Sequence, residues 1–329
     1  MSGVEVREVE AGESGMRLDR WFGVHYPAVP HGRLQKLLRT GQVRVDGARA
    51  KAGTRLAAGQ TVRVPPVGAP AAKPDPAARR LSRADRDFVR GLVIAESADI
   101  LALNKPPGLP VQGGSRAERH LDGLLDGLAP PRGGERPRLV HRLDKDTSGV
   151  LLLARSRQAA ASLGRAIKDR AARKLYWALV IGVPKPAEGE IEAALAKTGA
   201  AGQERVRLAE PGTPGAKRAV TRYQTIETAG RELTWVALEP VTGRTHQLRA
   251  HMAAVGHPIV GDGKYGGAAA HPGGEIPRKL HLHARRMRVP ERRGRWFDVT
   301  APLPDHMRAT WEVLGLDPDL DIDPFEAEA

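Results

Sequence analysis

From Leu139 to Ala154 the chain reads Leu-Val-His-Arg-Leu-Asp-Lys-Asp-Thr-Ser-Gly-Val-Leu-Leu-Leu-Ala, two apolar anchors around a central run that is mostly charged, polar or glycine. Val150–Ala154 has the length and continuity of a buried strand. Leu139-Val140 reads as the end of another. A loop tied into core at both ends holds its side chains rigidly without burying them. This loop carries the cations Arg142 and Lys145 and the carboxylates Asp144 and Asp146. A surface turn needs Asp, Ser and Gly, but not this density of charge between hydrophobic anchors.

At 329 residues there is material for a sizeable core and for more than one domain. The absence of cysteine excludes a disulfide framework, a thiolate metal site and a cysteine nucleophile. Met1–Gly15 is acidic and has no apolar centre, so it is not a signal peptide. No run approaches the roughly 18 apolar residues that cross a bilayer, and a cytoplasmic protein without a membrane partner is expected. The formal charge is +14, and it is uneven: Gly315–Ala329 holds four Asp and two Glu with no Lys or Arg, and the rest of the chain stands at +20. Such a surplus favours a polyanion, most often nucleic acid, although a solvated basic surface would have the same composition.

Five segments follow from composition and pattern: an extension at 1–15, a small unit at 16–75, a linker at 76–87, a large domain at 88–314 and an acidic tail at 315–329, which is expected to be disordered. In the small unit, Arg17–Phe22 starts a helix. Arg33–Arg39 is a second, with Leu34, Leu37 and Leu38 on one face and Arg33, Lys36 and Arg39 around the other. Gln42–Gly47, carrying Arg44, alternates as a strand and closes in an Asp-Gly turn. Met16–Val64 holds ten Arg or Lys against two Asp. Helix, turn and strand with one-sided charge resemble the RNA-binding module named after small-subunit ribosomal protein four. A ligand-free accessory domain is the plainer alternative. Pro65–Asp87, rich in proline, reads as an extended connection between mobile domains.

In the large domain, Leu92–Ile94 and Ile100–Leu103 are strand-like, and His120–Leu128 is a short amphipathic helix. Ser156 can cap a helix through about Ala172. Lys174–Ile181 is apolar on both faces, hence a central strand. Lys217–Thr225, Glu232–Leu238 and Leu280–Val289 are further strands, and Arg244–Val255 is a helix. The fold class expected is α+β, with a mixed, mostly antiparallel central sheet beside the small N-terminal α+β unit.

Three stretches suit chemistry: the Leu139–Ala154 loop, Arg173-Lys174-Leu175-Tyr176, and Thr242–His251. On a helix Thr245, Leu248 and Arg249 share a face. Arg249 would then emerge beside apolar packing and need a carboxylate, for which Asp144 is the natural candidate. A Ser148/His141/Asp144 hydrolase lacks the G-x-S-x-G turn. A metal site among His246, His251, His257, His281 and His283 lacks carboxylates and helical spacing. A nuclease using Asp144 and Asp146 is a further alternative. Asp146, Thr147 and Ser148 suit side-chain to backbone bonds that hold the loop, and His141 a structural place.

His141-Arg142-Leu143-Asp144 with Asp146-Thr147-Ser148-Gly149 resembles the motif of the RluA/RluC/RluD-type pseudouridine synthases. So do Asn104–Gly108, Lys174–Tyr176, Arg244–Arg249, Gly256–Asp262 with Tyr265-Gly266, and Leu282–Ala284, all in family order. Val111–Gly114 and the N-terminal unit are similar to the RluC-like subgroup, which modifies large-subunit ribosomal RNA. The resemblance implies the pseudouridine synthase fold and a cofactor-free isomerisation of uridine in RNA. Asp144 would be the nucleophile, at C1′ of the ribose or C6 of the ring, Tyr176 would stack on the uracil and assist proton transfer, and Arg249 would balance the carboxylate. Arg142 would fill the place of the extruded base. His141, Arg244 and Leu282, with Arg33, Lys36, Arg39 and Arg44 of the small unit, complete the RNA contacts implied. No metal, RNA as partner and a monomer are expected. The rival from another class is a non-catalytic RNA-binding or ribosome-assembly factor.

Overall fold

A computed structural model describes residues 3–67, 81–113, 119–130, 134–198, 205–210 and 212–326. The chain divides into two units, Met1–Arg80 and Leu81–Ala329.

In the first unit, strand β1 (Glu5–Glu8), helices α1 (Leu18–His25) and α2 (His31–Arg39), and strands β2 (Arg44–Val45), β3 (Ala48–Arg49) and β4 (Thr61–Val64) follow in order. The sheet runs β1-β4-β2-β3. Leu34, Leu37 and Leu38 of α2 enter a core with Trp21, Phe22, Val43 and Val62, while Arg33, Lys36, Arg39 and Arg44 stay exposed. The turn after β2 has positive φ at both Asp46 and Gly47, the hairpin geometry its Asp-Gly sequence favours. The segment before Met16 is part of this unit rather than an extension. β1 pairs with β4, Glu5 accepts from the Tyr26 hydroxyl, and Glu13 accepts from the Trp21 indole and meets His25. Its acids bring the charge of residues 3–67 to +5 from the +8 counted over 16–64.

Residues 68–80, most of the proline-rich connection, lie outside the described residues. The end of the expected linker is helical: Ser82 Oγ accepts the Asp85 N–H and starts α3 (Arg83–Gly91). A serine followed three residues on by an acid is a strong N-cap, and Val89 is buried on the inner face.

The second unit continues with β5 (Val93–Glu96), β6 (Ile100–Lys105), α4 (Leu121–Leu124), β7 (Arg138–Leu139), β8 (Ser148–Ala154), α5 (Arg157–Lys168), β9 (Arg173–Ile181), β10 (Glu188–Thr198), β11 (Arg205–Ala209), β12 (Lys217–Ala229), β13 (Leu233–Pro240), α6 (Gln247–Ala254), β14 (Leu282–Pro290), β15 (Trp296–Thr300) and α7 (Asp305–Leu314). One mixed sheet runs β11-β10-β12-β13-β9-β14-β8-β6-β5, with β15 on β14 and β7 on β8. Its pairs are antiparallel except β14 with β8. β8 is buried at every position and β9 lies mid-sheet, as their two-faced apolar sequences require. Trp177, Trp235 and Trp311 stack edge to face in the core.

The acidic end is ordered through residue 326, against the expectation of disorder. Leu316 and Phe325 are buried with Trp311, Asp319 pairs with Arg308, and Glu326 meets Arg286 and Arg288. The segment carries two apolar anchors and faces arginines supplied by β14 and α7, which its local composition does not reveal.

Candidate active site

The charged loop sits where the edge of β8 changes partner. On one side β8 pairs with β6 throughout Gly149–Ala154. On the other it pairs with β14 at Ser148 and Gly149, then with β7 at Leu153 and Ala154. In the interval the Leu152 N–H donates to His141 Nε2 at 2.9 Å. Burial, with Lys174 nearby, pushes the His141 pKa down to about 3, so the ring stays neutral. His141, counted among the RNA contacts, thus has one nitrogen committed to the sheet ladder.

The rest of the loop is anchored by its own backbone and by Ser148. The Lys145 carbonyl accepts from the Gly108 N–H and from the Lys105 ammonium. Lys105 is fully buried and also donates to the Pro106 and Leu109 carbonyls. Burial lowers its pKa to about 7 against the pull of Asp146 and Asp144. Ser148 Oγ bonds the His283 ring at 2.8 Å rather than the backbone, and the other His283 nitrogen meets the Ala301 carbonyl.

These anchors hold Asp144 in a cleft of about 1050 Å³. Tyr176, Arg249, Arg142, Arg244 and Leu282 line the same cleft. Tyr176 comes from the middle strand β9; burial first, then the Asp144 charge, raises its hydroxyl pKa, so the phenol stays protonated. Such a group can stack and donate, and it is a poor resting base. Arg142 is exposed, its guanidinium 3.4 Å from Gln112 Oε1. Arg244 is exposed and donates to the Arg218 carbonyl. Leu282 is buried wall.

Arg249 does not pair with Asp144. Its Nε and Nη2 each donate at 2.7 Å to the two carboxylate oxygens of Asp262. Asp262 Oδ1 also accepts the Lys264 and Tyr265 N–H groups. A forked guanidinium prefers a carboxylate that matches both arms and is already preset by backbone donors. Burial works against the charge on Arg249, but the Asp262 bonds and charge, and then the charge of Asp144 through space, raise its pKa above the ordinary value. The helix that carries Arg249 begins at Gln247, later than expected, because His246 stands in the left-handed region at φ 52°. Thr245 is therefore not on a helical face. Gln247 bonds Thr242, the Arg244 N–H, the Val220 carbonyl and Thr221, locking this start to β12.

Among the described residues, the basic side chain within 4 Å of the Asp144 carboxylate is His246, with Nε2 3.8 Å from Oδ1. His246 Nδ1 is 2.8 Å from the Tyr265 hydroxyl. Sequence reading weighed His246 as a metal ligand and gave Asp262 and Tyr265 no individual role; all three stood inside the motif blocks, which was the available signal. Among the described residues no group of three or more His, Cys, Asp or Glu is arranged to hold a metal.

A mixed sheet carrying an anchored carboxylate, a half-buried tyrosine and a cation-rimmed cleft fits an enzyme acting on a polyanion. The family model for RNA pseudouridylate synthase matches residues 99–254. Ribosomal large subunit pseudouridine synthase C of Salmonella typhimurium is 34% identical over 318 residues, 94% of this chain and 97% of the relative. The protein of the same name from Escherichia coli K12 is 37% identical over 265 residues, 80% of each chain. Among solved structures, human RNA pseudouridylate synthase domain containing 4 matches with a TM-score of 0.61 at 26% identity, over 72% of this chain and 99% of that one. This chain belongs to the RNA pseudouridylate synthase family. It is an isomerase that forms pseudouridine, and RNA is its partner.

Proposed function

We propose that the chain converts specific uridines of large-subunit ribosomal RNA to pseudouridine, with Asp144 as nucleophile. The juxtaposition of the anchored Asp144 with the protonated Tyr176 in one cleft supports this reading most directly. The relatives' names, which specify the ribosomal large subunit, support the substrate. A target uridine inside structured RNA is extruded into the cleft, at about a few kcal/mol. Asp144 attacks C1′ of the ribose or C6 of the ring as the bond to N1 breaks. The uracil turns within the cleft against Tyr176, C5 joins C1′, Asp144 is released, the C5 proton passes to solvent and N1 takes up a proton from solvent. Substrate and product are isomers, so no co-reactant enters. Arg249, held by Asp262, keeps a fixed positive charge on the wall of the cleft that holds Asp144. Arg142 occupies the vacated stack through its planar guanidinium, with Arg244 on the flanking phosphates. Arg33, Lys36, Arg39 and Arg44 add sequence-independent phosphate contacts. The protein acts in the cytoplasm as a monomer.

The test is tritium release from large-subunit ribosomal RNA transcribed with uridine tritiated at C5. Asp144→Asn is expected to abolish release while filter binding of the same RNA stays within a few-fold. Full turnover by that variant removes Asp144 as nucleophile.

A further inference from the structure

Two features of the site have no part in the chemistry above: the strained backbone of His246 and the hydroxyl of Tyr265. His246 is the residue before α6, with φ 52° and ψ 22°. Non-glycine residues hold that conformation where surrounding structure enforces it, often at functional sites. The enforcing contacts are visible. Gln247 ties the start of α6 to β12, and the His246 ring stands edge-on to Tyr265, with centroids 5.7 Å apart.

The hydrogen bonds decide the tautomer. Tyr265 Oη accepts the Val206 N–H at 3.1 Å. Its own proton has one acceptor among the described residues, His246 Nδ1 at 2.8 Å. Nδ1 therefore accepts, and the ring proton sits on Nε2. That nitrogen faces Asp144 Oδ1 at 3.8 Å, with both side chains largely shielded from solvent. The distance is longer than a hydrogen bond, as is common in free enzymes whose contacts tighten on substrate.

We propose that His246, with its tautomer fixed by Tyr265, is a positioning residue for Asp144: its Nε2–H holds Oδ1 and leaves Oδ2 as the attacking oxygen. This rests on Asp144 being the nucleophile. An oxygen misplaced by about 1 Å costs on the order of 10²-fold in rate, and a carboxylate with no directional donor rotates about its own bond. The charged and titratable groups around the ring are Asp144 from the loop, Arg249 from α6, Asp262 and Lys264 from the turn beyond it, and Tyr265. Burial outweighs the two carboxylates and keeps the His246 pKa below its ordinary value.

Single-turnover tritium release from the C5-labelled ribosomal RNA is measured for His246→Asn, His246→Gln, Tyr265→Phe and Asp144→Asn, each across pH 5 to 8. Asparagine tolerates the left-handed backbone but is too short to reach Asp144. It is expected to lose about 10- to 100-fold in the chemical step with RNA affinity unchanged. Glutamine, whose amide reaches the place of Nε2, is expected to recover at least a third of the wild-type rate. Tyr265→Phe, which frees the neutral ring to take either tautomer, is expected to lose several-fold in rate at pH 8 and to regain it toward pH 5, where the protonated ring carries a proton on Nε2 whatever its partner. A His246→Asn rate within threefold of wild type, a glutamine variant no better than asparagine, or a Tyr265→Phe rate equal to wild type at pH 8 overturns the proposal. Turnover by Asp144→Asn would instead overturn the assignment of the nucleophile, so the two failures are distinct.

Discussion

Asp262 determines what Arg249 can do. Two 2.7 Å bonds from the guanidinium and two backbone N–H groups converge on one buried carboxylate. The cation is thereby fixed and still faces Asp144 through space, and it takes neither oxygen of Asp144. Asp262→Ala would leave a buried guanidinium without its partner. It is expected to lose about 3–5 kcal/mol of stability, read by equilibrium denaturation. Asp144→Asn, which removes a partly exposed carboxylate, should change stability by less than about 1 kcal/mol. The sequence pointed to Arg249 through its motif and apolar surroundings and chose the wrong partner. Nothing in linear spacing favours the carboxylate thirteen residues on over one in a loop far back along the chain. The turn at 259–265 decides that, by aiming two N–H groups at Asp262.

At the scale of elements, the site depends on β8 exchanging β14 for β7 along one edge. Gly149 makes that possible. Its φ is +105°, and a Cβ there would lie 2.2 Å from the Ala284 carbonyl oxygen of β14. Gly149→Ala must either part the parallel pair or distort the loop, and is expected to cost more than about 2 kcal/mol. Activity should fall further than stability, because the same shift moves Asp144; denaturation and tritium release on one preparation separate the two. The strands themselves were legible. Val150–Ala154 and Lys174–Ile181 are continuous apolar runs, and two-faced burial is what such runs require. Their order was not legible, since hydrophobic pattern sets a strand's faces and leaves its neighbours open. The start of α6 was misplaced because His246 is shaped by Gln247 and Tyr265, which no local propensity encodes.

For the whole molecule, buried imidazoles set the response to acid. Burial pushes His141 and His283 down to about 3 and His251 and His281 to about 4. The unfolded chain protonates these rings near 6.5, so unfolding takes up protons below that value. Stability is expected to be level above about pH 7 and to fall as pH drops from 6.5 toward 4, by up to about 1.4 kcal/mol per pH unit for each ring. Chemical denaturation at stepped pH reads the slope; a flat profile between pH 6.5 and 5 would contradict it. Charge acts at the same scale. The exposed Arg33, Lys36 and Arg39 of α2 are expected to release counterions from RNA. Replacing all three by glutamine should flatten the logarithmic salt dependence of binding by roughly 2 to 3, and an unchanged slope would remove α2 from the RNA contact. The acidic end shows the limit of charge counting. Composition made it a disordered tail, whereas Leu316, Phe325 and the arginines of β14 and α7 make it part of the core.

Amino-acid order alone determined the family, the α+β class, the two-faced strands and the loop that bears Asp144. These depend on local pattern and on motif blocks that can be read without knowing what touches what. Tertiary structure decided the partners: Asp262 for Arg249, His246 for Asp144, Tyr265 for His246, and the β8 edge for His141. Hydrogen bonds and ion pairs fall off within a few ångströms, so their assignment depends on distances that exist only once the chain has closed on itself.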